Sequence, residues 1–192
     1  SNEKIVNQAF KLHLQGNILE AAKYYQYLIN QGFYDHRVFS NYGIILKNQG
    51  KLKEAEILMR KSIDLKPDFT DAYSNLGIIL RGLGKSKEAE ILYRKAIDLK
   101  PNFAEAHANL GNILRDLGKL KEAELSTCQA IQYKPDFAEA HYNLGNILRD
   151  LGQLKEAQLS TRKAIELKPH YAEAHSNLGN ILKDLGQLKE AE

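Results

Sequence analysis

The chain of 192 residues contains one cysteine, four prolines, one methionine and no tryptophan. The lone Cys128 excludes an intramolecular disulfide framework and a Cys-rich zinc site, and it suits a reducing compartment, read here as the cytoplasm. No apolar run approaches the roughly 18 residues that a membrane-spanning helix needs, and the opening Ser1-Asn2-Glu3-Lys4 carries no secretory signal pattern. An excess of one charge is missing too: 27 Lys and Arg face 24 Asp and Glu, a net charge of +3. That balance excludes a strongly basic nucleic-acid binder and an acidic disordered tail. No phosphate-binding loop, zinc-protease motif or nucleophile elbow occurs, so neither catalysis nor a cofactor is expected.

What is present is a period. Gly43, Gly77, Gly111, Gly145 and Gly179 stand 34 residues apart, and so do Gly50, Gly84, Gly118, Gly152 and Gly186. Pro67, Pro101, Pro135 and Pro169, all the prolines there are, keep the same spacing, as do Ala55, Ala89, Ala123, Ala157 and Ala191. Within residues 104–137, Ala106, Leu110, Ile113, Leu114 and Leu117 fall on one side at helical spacing. Gly118 interrupts that pattern. A second narrow stripe, Leu120, Ala123, Thr127, Ala130 and Ile131, runs on until Lys134-Pro135 ends it. Each helix is only about 13 residues, a marginal length in isolation, so the stripes must be buried by stacking against neighbours. Gly111 and Ala123 are small enough to let the paired helices approach closely.

The string N-L-G-N-I-L-R-D-L-G, followed by K-E-A-E and a closing K-P, resembles the tetratricopeptide repeat, whose signature is a 34-residue helix-turn-helix. The fold expected is all-α, a right-handed α-solenoid forming a single array over 1–192. It has full repeats at 36–69, 70–103, 104–137 and 138–171, a degenerate one at 2–35 and a partial one at 172–192. Two departures reduce apolar bulk in the later units. The family's early aromatic, kept as Phe39 and Tyr73, becomes His107, His141 and His175; its bulky second-helix residue, kept as Tyr25, Met59 and Tyr93, becomes Thr127 and Thr161.

In this family the first helices line a concave binding surface, so function is sought on their polar side. Asparagine recurs there as Asn7, Asn41, Asn75, Asn109, Asn143 and Asn177, joined later by Asn112, Asn146 and Asn180. At 100° per residue, Glu105, Asn109, Asn112 and Asp116 lie within roughly 60° of one another, nearly opposite the apolar side. An asparagine amide matches the C=O and N–H of an extended backbone, and helices stacked about 8 to 10 Å apart would present one to every third residue or so. The alternative is that these amides bond neighbouring first helices and hold the stack. Arg81, Arg115, Arg149, Tyr142 and the series Glu105, Glu139, Glu173 flank the ladder as groups able to confer sequence preference. Charge is graded: 0 over residues 1–35, +5 over 36–103 and −2 over 104–192.

The asparagine series is most similar to the superhelical region of O-linked N-acetylglucosamine transferases, where such a ladder grips substrate backbone. By that resemblance the peptide-contacting set is Asn41, Asn75, Asn109, Asn112, Asn143, Asn146, Asn177 and Asn180, with Arg115 and Arg149 beside it. Another branch of the family clamps chaperone carboxylates with basic residues, but Glu105, Glu139, Glu173 and Asn177 stand where the cations are needed. His107, His141 and His175 sit about 10 Å apart from one repeat to the next, too far to share a zinc ion, and are expected to pack instead. Cys128 has no companion that would make it a nucleophile. Three functions remain: a scaffold for an extended peptide, the substrate-recruiting region of a larger group-transfer enzyme such as a glycosyltransferase, or end-to-end self-association through residues 172–192. The last follows because the chain stops at Ala191-Glu192, partway through a second helix and without a polar cap, the pattern expected of a longer protein or a truncation.

Overall fold

The computed structural model describes residues 2–186. Among them are eleven α-helices and no strand: α1 (Asn2–Leu14), α2 (Ile18–Asn30), α3 (His36–Asn48), α4 (Leu52–Leu65), α5 (Thr70–Gly82), α6 (Ser86–Leu99), α7 (Ala104–Asp116), α8 (Leu120–Tyr133), α9 (Ala138–Asp150), α10 (Leu154–Leu167) and α11 (Ala172–Asp184). The expected all-α repeat fold is thus observed, with one helix pair in each of the intervals 36–69, 70–103, 104–137 and 138–171. The backbone divides after Lys95 into two compact units, so that α6 crosses the division. Residues 187–192, the last six of the segment 172–192 on which end-to-end stacking was expected, lie outside the described residues.

The turn glycine ends each first helix by a specific geometry. Gly118 has φ +75°, a left-handed conformation that glycine adopts without strain. It lets the Gly118 N–H reach Arg115 O at 2.9 Å and the Lys119 N–H reach Leu114 O at 2.8 Å, satisfying carbonyls that the helix leaves free. The second helix stops differently: Lys134, held extended before Pro135, gives its N–H to Ala130 O at 2.9 Å, and its own carbonyl accepts from the Phe137 N–H.

In the first unit the core is built on bulk. Val6, Ala9, Ala21, Tyr25, Leu28, Val38 and Ile45 are buried together, with Phe10 and Tyr42 packed against them. A Cβ at Gly77 would stand 2.6 Å from Tyr93 Cζ, so this glycine exists to admit the ring. In the second unit small residues take over, as in the cluster of Ala108, Ala130 and Ala140. Thr127 is fully buried against Gly111, where a Cβ would collide with its Oγ1, and Thr127 Oγ1 donates to Ala123 O at 2.9 Å. Gly145 and Thr161 repeat the arrangement. The loss of side-chain bulk at these threonines is therefore met by direct contact with the facing glycine.

The histidines that replace the early aromatic inherit a polar task. Tyr73 donates its hydroxyl to Pro67 O at 2.9 Å; His107, His141 and His175 place Nε2 at 2.9, 2.9 and 2.8 Å from Pro101 O, Pro135 O and Pro169 O. Each imidazole thereby satisfies a turn carbonyl six residues earlier in the chain. The packing role expected of these histidines is a hydrogen-bonded one.

Candidate functional site

The polar side of α7, α9 and α11 carries the asparagine series of the second unit. Asn109, Asn112, Asn143 and Asn146 are half-buried, Asn177 is buried and Asn180 is exposed. Asn177 donates Nδ2 to Thr161 Oγ1 at 3.5 Å, reaching the preceding second helix. In the first unit Asn41 makes the equivalent contact with the Tyr25 hydroxyl, whose pKa burial pushes up to about 12. Asn75 turns back onto its own helix, donating to Asp71 O at 3.0 Å. The stack-holding alternative therefore applies to Asn41 and Asn177, but their partners lie on second helices, not first ones. Asn109, Asn112, Asn143 and Asn146 make no side-chain hydrogen bond among the described residues.

Carboxylates close both ends of this strip. At one end Glu105 meets Lys134 at 3.1 Å and Glu139 meets Lys168 at 3.2 Å. Burial opposes the charged form of each, but its own backbone N–H and the lysine outweigh that cost and hold both carboxyls below the usual glutamate range. At the other end Arg115 Nε meets Asp150 at 2.5 Å and Arg149 meets Asp184 at 2.8 Å. The two arginines expected beside a bound peptide thus face the aspartate of the next first helix. They order the strip and leave their remaining N–H groups for other acceptors.

Two features went unread in the sequence. The Arg–Asp pairing spans 35 residues, one more than the period, and is signalled only by the recurring Arg-Asp dipeptides 115–116 and 149–150. The rings of Tyr142 on α9 and Tyr171 at the head of α11 meet with centroids 5.0 Å apart and planes tilted by 48°. Cys128, on α8, has its thiol pushed up by burial and by the Glu124 carboxylate, the opposite of what an activated nucleophile requires.

Family models for the tetratricopeptide repeat match residues 36–69, 70–103 and 92–124, and one described as a TPR repeat matches 111–152 and 145–186. The chain belongs to the tetratricopeptide-repeat family. No curated protein matches it. Among solved structures, this tetratricopeptide-repeat chain is similar to PilW, a type IV pilus biogenesis factor, at 19% identity and TM-score 0.89, covering 99% of this chain and 88% of that one. It is also similar to YrrB, a tetratricopeptide-repeat protein described as having an unusual peptide-binding site, at 24% identity and TM-score 0.71, covering 88% of each chain. A third, the thermophilic protein TTC0263 of Thermus thermophilus, shares 20% identity at TM-score 0.75 over 95% of this chain and all of that one. At these identities the likeness establishes the fold, and the narrower resemblance to glycosyltransferase repeats rests on the asparagine series alone.

Proposed function

We propose that this tetratricopeptide-repeat chain is a protein-interaction scaffold that holds an extended peptide segment along the first helices, gripping its backbone with asparagine amides. The supporting observation is the group Asn109, Asn112, Asn143 and Asn146: four half-buried amides, repeated at one period on α7 and α9, with no hydrogen-bond partner among the described residues. Half-buried amides with no protein partner keep their donors and acceptors open, and a strip of them can meet the alternating N–H and C=O groups of an extended chain. Asn180 extends the strip on α11, whereas Asn177 serves the stack.

Net hydrogen bonds contribute roughly 0.5 to 1.5 kcal/mol each, so a few of them, less the cost of ordering the ligand, give affinity in the micromolar range or weaker. Replacing Asn112 and Asn146 together by alanine is expected to weaken peptide binding by about 1 to 3 kcal/mol, about five- to 150-fold, with helical content unchanged. Asn177→Ala is expected to lower stability first. Titration of an extended peptide library reads the first effect and urea denaturation the second. Undiminished binding by the double variant would sink the ladder as a ligand site.

A further inference from the structure

Two residues break the 34-residue repeat in the same repeat, and they touch. Where Tyr142 stands, the other first helices carry Val6, Ser40, Ser74, Ala108 and Ser176; where Tyr171 stands, the turns after the degenerate first unit's Asp35 carry Phe69, Phe103 and Phe137. The contact itself belongs to the repeat, since Phe137 packs against the cluster that holds Ala108. Its chemistry is new at 138–171: an alanine and a phenylalanine have become two half-buried phenols, 5.0 Å apart.

The charges nearest this spot are Lys168, Glu139 and Glu173, with Lys134 also acting on Glu139. Lys168 places its ammonium 4.6 Å from the Tyr171 ring centroid and 3.2 Å from Glu139. Glu173, exposed on the first turn of α11, adds a second carboxylate, and among the described residues it forms no ion pair. Burial, Glu139, Tyr142 and Glu173 together push the Tyr171 phenol up to about 12, which places both carboxylates within electrostatic reach of the ring pair. Lys134 is itself paired with Glu105, so two lysines against three carboxylates leave a single negative charge beside aromatic faces. The lysine–aromatic contact recurs as Lys134 over Phe137 at 4.7 Å and Lys100 over Phe103 at 4.8 Å, so the turn tolerates a cation on its ring throughout.

We infer that the Tyr142–Tyr171 pair, with Glu139 and Glu173 beside it, receives an arginine side chain of the bound segment. This rests on the peptide-holding reading above and adds a residue preference to it. A planar guanidinium stacks on a phenol ring while donating to carboxylates, which a compact ammonium does less well. By helical spacing Tyr142 borders Asn146 and Arg149 along α9, so backbone grip and side-chain selection occupy adjoining positions.

The test uses the full chain and two short Ser/Ala peptides, one with a central arginine and one with the uncharged isostere citrulline there. The arginine peptide is expected to bind about three- to tenfold tighter, the range of a partly desolvated cation–π contact. Tyr142→Ser, the residue the repeat itself uses at 74 and 176, and Glu173→Gln should each reduce that preference, read as the ratio of the two peptides' affinities; circular dichroism monitors the fold. Equal binding of the two peptides by the parent chain, or a preference that survives in both variants, overturns the inference. Equal binding that Asn112→Ala/Asn146→Ala weakens would still support the peptide-holding reading, whereas no binding of either peptide would remove both.

Discussion

Gly111→Ala is expected to destabilise the second unit even though alanine is the better helix former. The gain from replacing a helical glycine is about 1 kcal/mol. Against it, the new Cβ would overlap Thr127 Oγ1 and stand 3.2 Å from Ala123 O, a backbone atom that cannot swing away. Thr127 Oγ1 can retreat only by giving up its bond to Ala123 O, worth about 1 kcal/mol, and forced overpacking costs about 1 to 3 kcal/mol more. The balance is a net loss of about 1 to 3 kcal/mol. Gly43→Ala is the matched control, because its nearest obstacle is Met59 Cε at 3.1 Å, the far end of a flexible side chain. Urea denaturation followed by circular dichroism should show a lowered midpoint for Gly111→Ala, little change for Gly43→Ala, and partial recovery in Gly111→Ala/Thr127→Ala. A Gly111→Ala chain as stable as the parent would refute the claim that glycine and threonine are fitted to each other.

His141→Tyr should keep the bond to Pro135 O in the way Tyr73 bonds Pro67 O, whereas His141→Phe should lose about 1 kcal/mol; thermal melts of the two variants separate these outcomes. Glu105 and Glu139 have folded-state pKa values below their unfolded ones, so the stability they contribute is present above the ordinary glutamate range and is lost as pH falls through the folded values. Melting temperature should therefore drop at acid pH by less in Glu105→Gln/Glu139→Gln than in the parent. Cys128, with its thiol raised by burial and Glu124, should react with iodoacetamide at about pH 8 more slowly than a free thiol, and Glu124→Gln should speed it; an unchanged rate would show the carboxylate has no influence.

The helix pairs were legible because each boundary is written several times over. Gly118 and Pro135 each belong to a periodic series, and their backbone roles, a left-handed cap and an extended stop, follow from glycine and proline alone. The asparagine strip was legible as a series but not in its division of labour. Asn143 and Asn177 are one period apart, yet one is half-buried without a partner and the other is buried on Thr161. Both have a threonine at the same offset on the preceding second helix, Thr127 and Thr161, so residue type does not separate them, and a period assigns equivalent places without giving the depth or the vector of each amide. The same reason hid Arg115–Asp150 and Tyr142–Tyr171, whose spacings of 35 and 29 residues are set by how successive helices lie against each other.

The Arg115–Asp150 and Arg149–Asp184 pairs carry a genetic consequence. Because each arginine looks one period plus one residue ahead, excising residues 138–171 would bring Asp184 to the place Asp150 had held, and Arg115 would find an aspartate again. His175 and Pro169 would not survive as a pair, but Pro135 would fall six residues before the same histidine. The joints on either side of 138–171 are thus interchangeable couplings, and this unit can be lost without orphaning these charges or the turn carbonyl. The same excision would take away both Tyr142 and Tyr171. Lineages that gain or lose a repeat would in this way keep the scaffold while exchanging what it selects.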